Sequence, residues 1–375
     1  MRIQAAVARP GAIVDIESCV LSPPQACEVQ VRLEACGICH TDLLAMGGQL
    51  GTPLPAVLGH EGVGIVEALG QGVSRFAVGD RVLMSFGACG GCRACRAAAP
   101  AYCHSALAMN FAGRRLDGSA PMAIGRSPIT SHFFAQSSFA THTVANEHNV
   151  VRLDPDLPAE LMAPLACGVQ TGMSSVLNVL QPGSRDRIAI LGCGTVGLAA
   201  VMAAAIAGCR EIIAVDLKRE RVELAMELGA TAGVASQGED LSQSLKSHGL
   251  LNGAVDCTGS IPVIESAFRA LAQRGQVVCA GVSPAGRKLA IDPRELVFGG
   301  RSLRGTVEGD ANPREFIPEM IEYFRSGHLP LHKLVRTYPF VEINQALADL
   351  SSGAAIKPVL LIPGESEQHS TRDVV

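Results

Sequence analysis

The sequence predicts an α/β chain in two parts: a β-rich, partly closed unit over about the first 150 residues, then from about residue 170 a doubly wound parallel sheet built from βαβ units. Two observations carry this. The early stretches AAVARPGAIVDIESCVL, EVQVRLEACGI, GVGIVEAL and DRVLMSF run alternating or β-rich between Gly, Pro and Asp punctuation. Later the pattern becomes strand and helix in alternation: RIAILG, a buried strand; TVGLAAVMAAAIAGC, a helix with small residues on nearly every face; EIIAVD, a strand; KRERVELAMELGA, an amphipathic helix ending at Gly229. AVDCTG, QVVCAGV and SLRGTV add short buried strands. After Val307 the chain changes again, to the helices PREFIPEMIEYFRSG and INQALADLSSG and a last strand, KPVLLIP. The polar tail from Gly364 is expected to fray.

Composition excludes several classes. Hydrophobic residues are 48% and charged residues 18%, so the chain is not intrinsically disordered. With 31 basic against 35 acidic residues the net charge is −4, and no basic excess points to nucleic acid. The longest apolar run, Val196 to Cys209, is 14 residues, short of the roughly 20 a spanning helix needs. The start, MRIQAAVARPGAIVDIE, has no apolar run or cleavage pattern of a secretory signal. The 13 cysteines are too few and odd for a disulfide scaffold; in the reducing cytoplasm expected here, clustered ones read as metal ligands.

Gly192-Cys-Gly194-Thr-Val196-Gly197 follows the strand RIAIL and opens a helix. A lone GxGxxG is weak, but this context is the one a dinucleotide requires. The first glycine permits the turn, the second lets backbone approach a pyrophosphate, and the third packs helix on strand. The helix N-terminus offers free N–H groups to the phosphates. Asp216 ends the next strand 19 residues after Gly197, placed to accept both ribose hydroxyls. That favours NAD over NADP, with Lys218 and Arg219 beside it leaving the phosphorylated form open.

Cys89-x2-Cys92-x2-Cys95-x7-Cys103 puts four thiols in one short loop, enough to close a tetrahedron around structural Zn2+. Spacing alone leaves an iron–sulfur cluster open. Cys39 in CGICHTD, His60 in LGHEGVG and Cys167 in ACGVQTG are dispersed, and singly each is weak. Together they are two sulfurs and an imidazole, a catalytic zinc set with one open position. Asp42 could take the other N–H of His60. Glu61 is either an alternate ligand or a supporting carboxylate.

In order along the chain, CGICHTD, GHEGVGIV, the Cys89–Cys103 loop, FFAQSSFATH, CGVQTG, GCGTVG, Asp216 and IKPVLLI resemble the zinc-containing medium-chain alcohol dehydrogenases. ALAMNFAG, SHFFAQSSFATHTV and IKPVLLI are most similar to the bacterial benzyl (aryl) and allylic terpene alcohol dehydrogenases. The resemblance implies a GroES-like catalytic domain, residues 1–171 and 307–375, split around a Rossmann domain, residues 172–306, in homodimers or homotetramers. It implies two Zn2+ and one NAD per chain and reversible oxidation of a small-molecule alcohol to its aldehyde. Thr41 falls at the position whose hydroxyl takes the alcohol's proton, Thr171 at a nicotinamide contact, and Lys357 where relatives place an arginine on the coenzyme phosphate.

One departure concerns the proton relay. Where many relatives carry a histidine, five residues after the first zinc ligand, this chain has Leu44. His40 falls where they place a pyrophosphate-binding arginine, and it is either the relay base or only a phosphate contact. Ser85, Phe86, Met109 and Phe111 are expected either to line an apolar pocket for a benzylic or allylic primary alcohol or to serve as ordinary core. Two other readings remain: a zinc-free quinone or enone reductase on the same fold, and a non-enzymatic NAD(H)-binding protein. Presence of Cys39, His60 and Cys167 argues against the reductase.

Overall fold

The computed structural model describes residues 1–11, 13–235 and 240–364; the tail expected to fray lies, beyond Gly364, outside them. The chain divides into two compact units: Met1–Cys167, Asn312–Pro318 and Leu331 onward form one, and Gly168–Ala311 with Glu319–Pro330 the other.

The first unit holds two sheets. One orders Ala56–Val57, Arg2–Ala8, Asp15–Leu21, Met122–Ile124 and Ser127–Pro128. The other orders Val150–Arg152, Arg81–Met84, Glu61–Leu69, Glu28–Gly37, Lys357–Leu361 and Val335–Pro339, with His142–Asn146 also paired on Glu28–Gly37. The alternating stretches read from sequence are these strands, and one core that includes Val31, Leu33, Ile38, Val66, Met84 and Phe133 lies beneath them. The last strand pairs antiparallel with Glu28–Gly37, Val359 facing Gly37, so a segment from the far end of the chain lies beside the first candidate metal ligand.

The second unit is a six-stranded parallel sheet in the order Ala232–Ala235, Glu211–Asp216, Arg187–Leu191, Leu251–Asp256, Leu271–Cys279 and Ser302–Gly305. In chain order this is 3-2-1-4-5-6, the doubly wound arrangement. Helix Thr195–Ile206 needs its small residues: a Cβ on Gly197 would stand 1.7 Å from the Gly192 carbonyl oxygen, and one on Gly172 2.0 Å from that of Val196. Strand Ala232–Ala235 and the helices Leu241–Ser247, Ile261–Arg269 and Pro293–Gly299 were not read from sequence. Ala-Gly-Val-Ala carries too little β-branched bulk to signal a strand.

The observed division differs from the boundaries expected at 171/172 and 306/307. Gly168–Thr171 and residues 307–311 go with the parallel sheet, because Ser174 Oγ donates to the Gly309 carbonyl at 2.6 Å and Thr171 Oγ1 to Glu308 at 3.1 Å. Glu319–Pro330, the second half of helix Pro313–Arg325 and its sequel, also belong there. Among the described residues no helix is long and apolar enough to cross a membrane, and all thirteen cysteines are free thiols.

Candidate active site and metal centres

Cys39 precedes helix His40–Met46, and Asp42, in that helix's first turn, is wholly buried. Its carboxylate accepts from the Cys39 backbone N–H at 2.9 Å and the Gly59 N–H at 3.1 Å, and meets His60 Nδ1 at 3.1 Å. One carboxylate thus ties together the two segments that carry Cys39 and His60. The predicted support of His60 by Asp42 is present, with Nδ1 engaged and Nε2 left without a hydrogen-bond partner, fully buried. Cys167 joins from the end of the short helical turn Ala163–Ala166; Ser85 Oγ donates to the Ala166 carbonyl at 2.6 Å and fixes that turn. The ligand atoms of Cys39, His60, Glu61 and Cys167 all lie within 4.8 Å of one another.

Charges at this cluster are strongly organised. Burial opposes a charged His60, but Asp42 outweighs it and holds the imidazole well above its usual value. Cys39 is held well below the usual thiol range, chiefly by its hydrogen bond with Cys167 against the cost of burial, with His60 adding to the effect. A half-buried sulfur poised to ionise, facing a buried ring nitrogen with no other partner, is a donor set that a soft divalent cation fits by displacing protons.

Lys357 is tied to the carboxylate beside His60. Expected on a coenzyme phosphate, it is 2% exposed, and its ammonium donates to the Ile38 carbonyl at 3.1 Å and to both Glu61 oxygens at 2.8 and 2.9 Å. Its three N–H donors are directed at these three oxygens. The cause is register: Val359 faces Gly37, which draws residue 357 into the sheet's interior next to Ile38 and Glu61. A Cβ at Gly37 would stand 1.9 Å from Glu61 Oε2, so a larger residue there would displace the carboxylate from Lys357. Burial pushes Glu61 up to about 7 while Lys357 pulls it down; burial lowers Lys357, but Glu61 holds it above its ordinary value.

Thr41 is half-buried, its hydroxyl 3.6 Å from Cys39 Sγ, and His40 is exposed at the helix start. Of the expected pocket residues, Ser85 is fully buried, and Phe86 and Met109 are buried too. Phe86 instead faces a cavity of about 110 Å³ with Ala88, Gly90, Cys95 and His148, beside the four-cysteine loop. Phe111 is the member that reaches the ring system around His60. Phe134 stacks on the imidazole at 4.4 Å and 28°, Phe133 meets it edge-on at 5.7 Å, and Phe111 packs edge-on against Phe134 at 5.4 Å. Phe134, Ala135 and Ser137 all have left-handed backbone, φ 52°, 55° and 62°, at roughly 1–2 kcal/mol apiece. Phe133, Phe134 and Gln136 lie in the FFAQSSF stretch, whose family resemblance carries no hint of these contacts.

The second metal candidate is local. Cys89 to Cys95, Cys92 to Cys95 and Cys92 to Cys103 have Sγ–Sγ separations of 4.0, 3.5 and 4.0 Å. A tetrahedron of Zn–S bonds has edges of about 3.8 Å, so these thiols are spaced for one ion; thiolates on different irons of a cluster stand farther apart. Backbone N–H groups of Cys95 and His104 bring Cys92 down to about 6. The N–H groups of Cys89 and Ser105 donate to Cys103 Sγ at 3.3 and 3.4 Å. Asn110 closes the loop's base, accepting from the Gly87 N–H at 2.7 Å and donating to its carbonyl at 3.0 Å.

In the second unit, Gly192 sits at φ 91° and Gly194 is the residue before helix Thr195–Ile206. A Cβ on Gly194 would meet nothing within 4 Å, so the backbone there is open to a ligand. Asp216 accepts from the Cys193 N–H at 2.7 Å and the Lys218 N–H at 2.9 Å, which fixes its carboxylate at the end of its strand. Thr171 donates to Glu308, a contact the sequence did not foretell.

A doubly wound parallel sheet with a glycine turn, and a β-rich unit carrying one closed and one open cysteine-based ligand set, define a metal-binding, dinucleotide-type dehydrogenase. Residues 25–155 match the alcohol dehydrogenase GroES-like domain, and residues 195–326 the zinc-binding dehydrogenase family. A geraniol dehydrogenase of Castellaniella defragrans is 40% identical over 363 residues, 96% of this chain and 97% of the relative. The benzyl alcohol dehydrogenase of Acinetobacter calcoaceticus superposes with TM-score 0.93 at 39% identity, covering 97% of this chain and all of that one. An alcohol dehydrogenase zinc-binding domain protein from Burkholderia ambifaria gives 0.95 at 42% identity, with 97% and 100% covered. The chain belongs to the zinc-type alcohol dehydrogenase family, with a GroES-like and a Rossmann-like part.

Proposed function

We propose that this protein is a cytoplasmic NAD- and zinc-dependent dehydrogenase that interconverts a primary benzylic or allylic alcohol and its aldehyde. The observation that carries this is the set Cys39, His60 and Cys167, the first half-buried and the other two buried, with His60 Nε2 unpartnered and its other nitrogen fixed by Asp42. Zinc held by these three residues would supply a Lewis acid that lowers an alcohol's pKa, and a second, in Cys89, Cys92, Cys95 and Cys103, would be structural. NAD would supply the hydride acceptor. The chain's own groups do the rest. The glycine turn Gly192–Gly197, Val196 included, leaves backbone N–H groups for a pyrophosphate, and Asp216 accepts ribose hydroxyls. Thr171 would lie against the nicotinamide. The Thr41 hydroxyl holds the alcohol's proton and passes it on; His40 either receives it or binds phosphate, since Leu44 cannot take part. Lys357 neutralises Glu61 and keeps that carboxylate back as support for the ligand cluster. Phe111, Phe133 and Phe134 make the surroundings of His60 apolar and exclude water there, which suits a conjugated alcohol. Relatives named for geraniol and for benzyl alcohol, one allylic and one benzylic, support that class.

The test is a panel of aryl, allylic and aliphatic primary alcohols followed by NADH absorbance, together with metal analysis. Two zincs per chain and a kcat/KM for benzyl alcohol or geraniol above that for ethanol are expected. Ethanol as the better substrate refutes the substrate class; one zinc or none refutes the catalytic site.

A homodimer or homotetramer is part of the same proposal. On the second unit, Val297 and Phe298 are 75% exposed on the short helix Pro293–Gly299, near in sequence to Ser302–Gly305, the sheet's edge strand. Exposed apolar side chains close in sequence to a strand at the end of the sheet suit a second copy of the chain. Phe298→Glu should shift size-exclusion elution toward the monomer; unchanged elution would exclude this face.

A further inference from the structure

The segment Phe133–Ser138 does more than fill the core. Gln136, fully buried, directs the two hydrogens of Nε2 at the carbonyls of His60, Met84 and Ser85, 2.9, 3.1 and 3.1 Å away, one hydrogen being shared. Its Oε1 accepts from the Gly62 N–H at 3.2 Å and from Ser138 Oγ at 2.6 Å. Ser137 Oγ adds a bond to the Val57 carbonyl at 2.6 Å and accepts from the Phe133 N–H at 2.9 Å. These ties hold three non-glycine residues in the left-handed region and so aim one ring, Phe134, onto the face of the His60 imidazole. Asp42 fixes the imidazole at one edge; the stacked ring fixes its plane. Nε2 is then left with one direction to point.

Phe134 is in turn braced from the other metal candidate. Phe111, edge-on to it at 5.4 Å and 87°, is the last residue of the helix Ala106–Phe111, which starts three residues after Cys103. Asn110, its neighbour, clasps Gly87 at the other end of the four-cysteine loop.

We propose that Phe134 is a positioning residue for His60, and that through the Phe111–Phe134 contact the four-cysteine loop sets how firmly the Cys39–His60–Cys167 site holds its metal. The inference rests on the zinc reading above and assigns the strap and the ring pair a task within it. An aromatic face against a ligating imidazole limits its libration; without it the ligand swings free more often and the metal leaves faster.

The experiment uses the full chain loaded with Co2+ in place of zinc, where two thiolates and an imidazole absorb differently from four thiolates. Wild type, Phe134→Ala, Phe134→Leu, Phe134→Tyr and Phe111→Ala are mixed with a chelator, and loss of each cobalt band is timed. Phe134→Ala and Phe134→Leu should release the three-ligand metal about tenfold faster than wild type, and Phe111→Ala about threefold faster. Phe134→Tyr, which keeps the ring, should release it at the wild-type rate, and the four-thiolate band should persist in every Phe134 variant. Phe134→Leu keeps the core filled and serves if the alanine variant does not fold. Wild-type release rates in the Phe134 variants, with two metals bound, overturn this inference alone. A wild-type chain that binds cobalt only through four thiolates overturns the zinc reading and this inference together.

Discussion

A chain carrying His60→Ala should retain one zinc rather than two and turn over its alcohol at least ~10³-fold more slowly, because a Lewis acid contributes several kcal/mol to such a transition state and each 1.4 kcal/mol is a factor of ten. The substitution removes the only nitrogen ligand and leaves two sulfurs, together with an Asp42 carboxylate that has lost its imidazole. The four-cysteine loop draws its ligands from 89–103 alone, so its metal stays. Asp42→Asn grades the effect: the ligands remain but the ring loses its anionic partner, and zinc affinity should fall by about 10- to 100-fold. Metal analysis after dialysis, paired with kcat, separates the outcomes. A His60→Ala chain with two zincs and near-normal turnover would place the chemistry elsewhere.

Lys357→Met should cost about 3–5 kcal/mol of stability, the consequence of leaving a buried carboxylate without its cation. Glu61 is wholly buried and receives two of the three Lys357 hydrogen bonds. The double variant Lys357→Met/Glu61→Gln should recover most of that loss, since neutral groups of similar volume remove the charge and its desolvation together. A pH dependence follows in the single variant. Burial already raises Glu61 from 4.5 to about 7 with the ammonium in place; without it the folded value rises further. A carboxyl whose folded value exceeds its unfolded one gives stability present below the unfolded value and lost as pH rises through the folded one. Lys357→Met should therefore lose melting temperature increasingly from pH 6 to pH 8, read by thermal melts. A flat profile with an unchanged midpoint would mean that the pair contributes nothing.

The glycine turn and the four-cysteine loop were legible because each is a single stretch whose residues meet through local backbone alone. Gly192, Gly194 and Gly197 serve one turn, and Cys89 to Cys103 close one loop. The three-ligand set was different. Cys39, His60 and Cys167 come from three segments, each weak by itself, and only the ordered resemblance joined them before the fold did. The Lys357–Glu61 pair was not legible, because the lysine's position in IKPVLLI does not show a partner that strand register against Glu28–Gly37 decides. The boundaries moved for a similar reason: Thr171, Ser174, Glu308 and Gly309 bond one another across more than a hundred residues.

The sequence by itself determined an α/β chain, a dinucleotide-type turn, a closed cysteine loop and a second ligand set, because those are matters of residue type, order and short-range spacing. The tertiary structure alone decided that Asp42 bridges two ligand-bearing segments and that Lys357 answers Glu61. It alone placed Phe134, turned left-handed by the bonds of Gln136, against the face of His60. Each of those depends on which strands pair and in what register, a long-range choice made by burying the whole core at once.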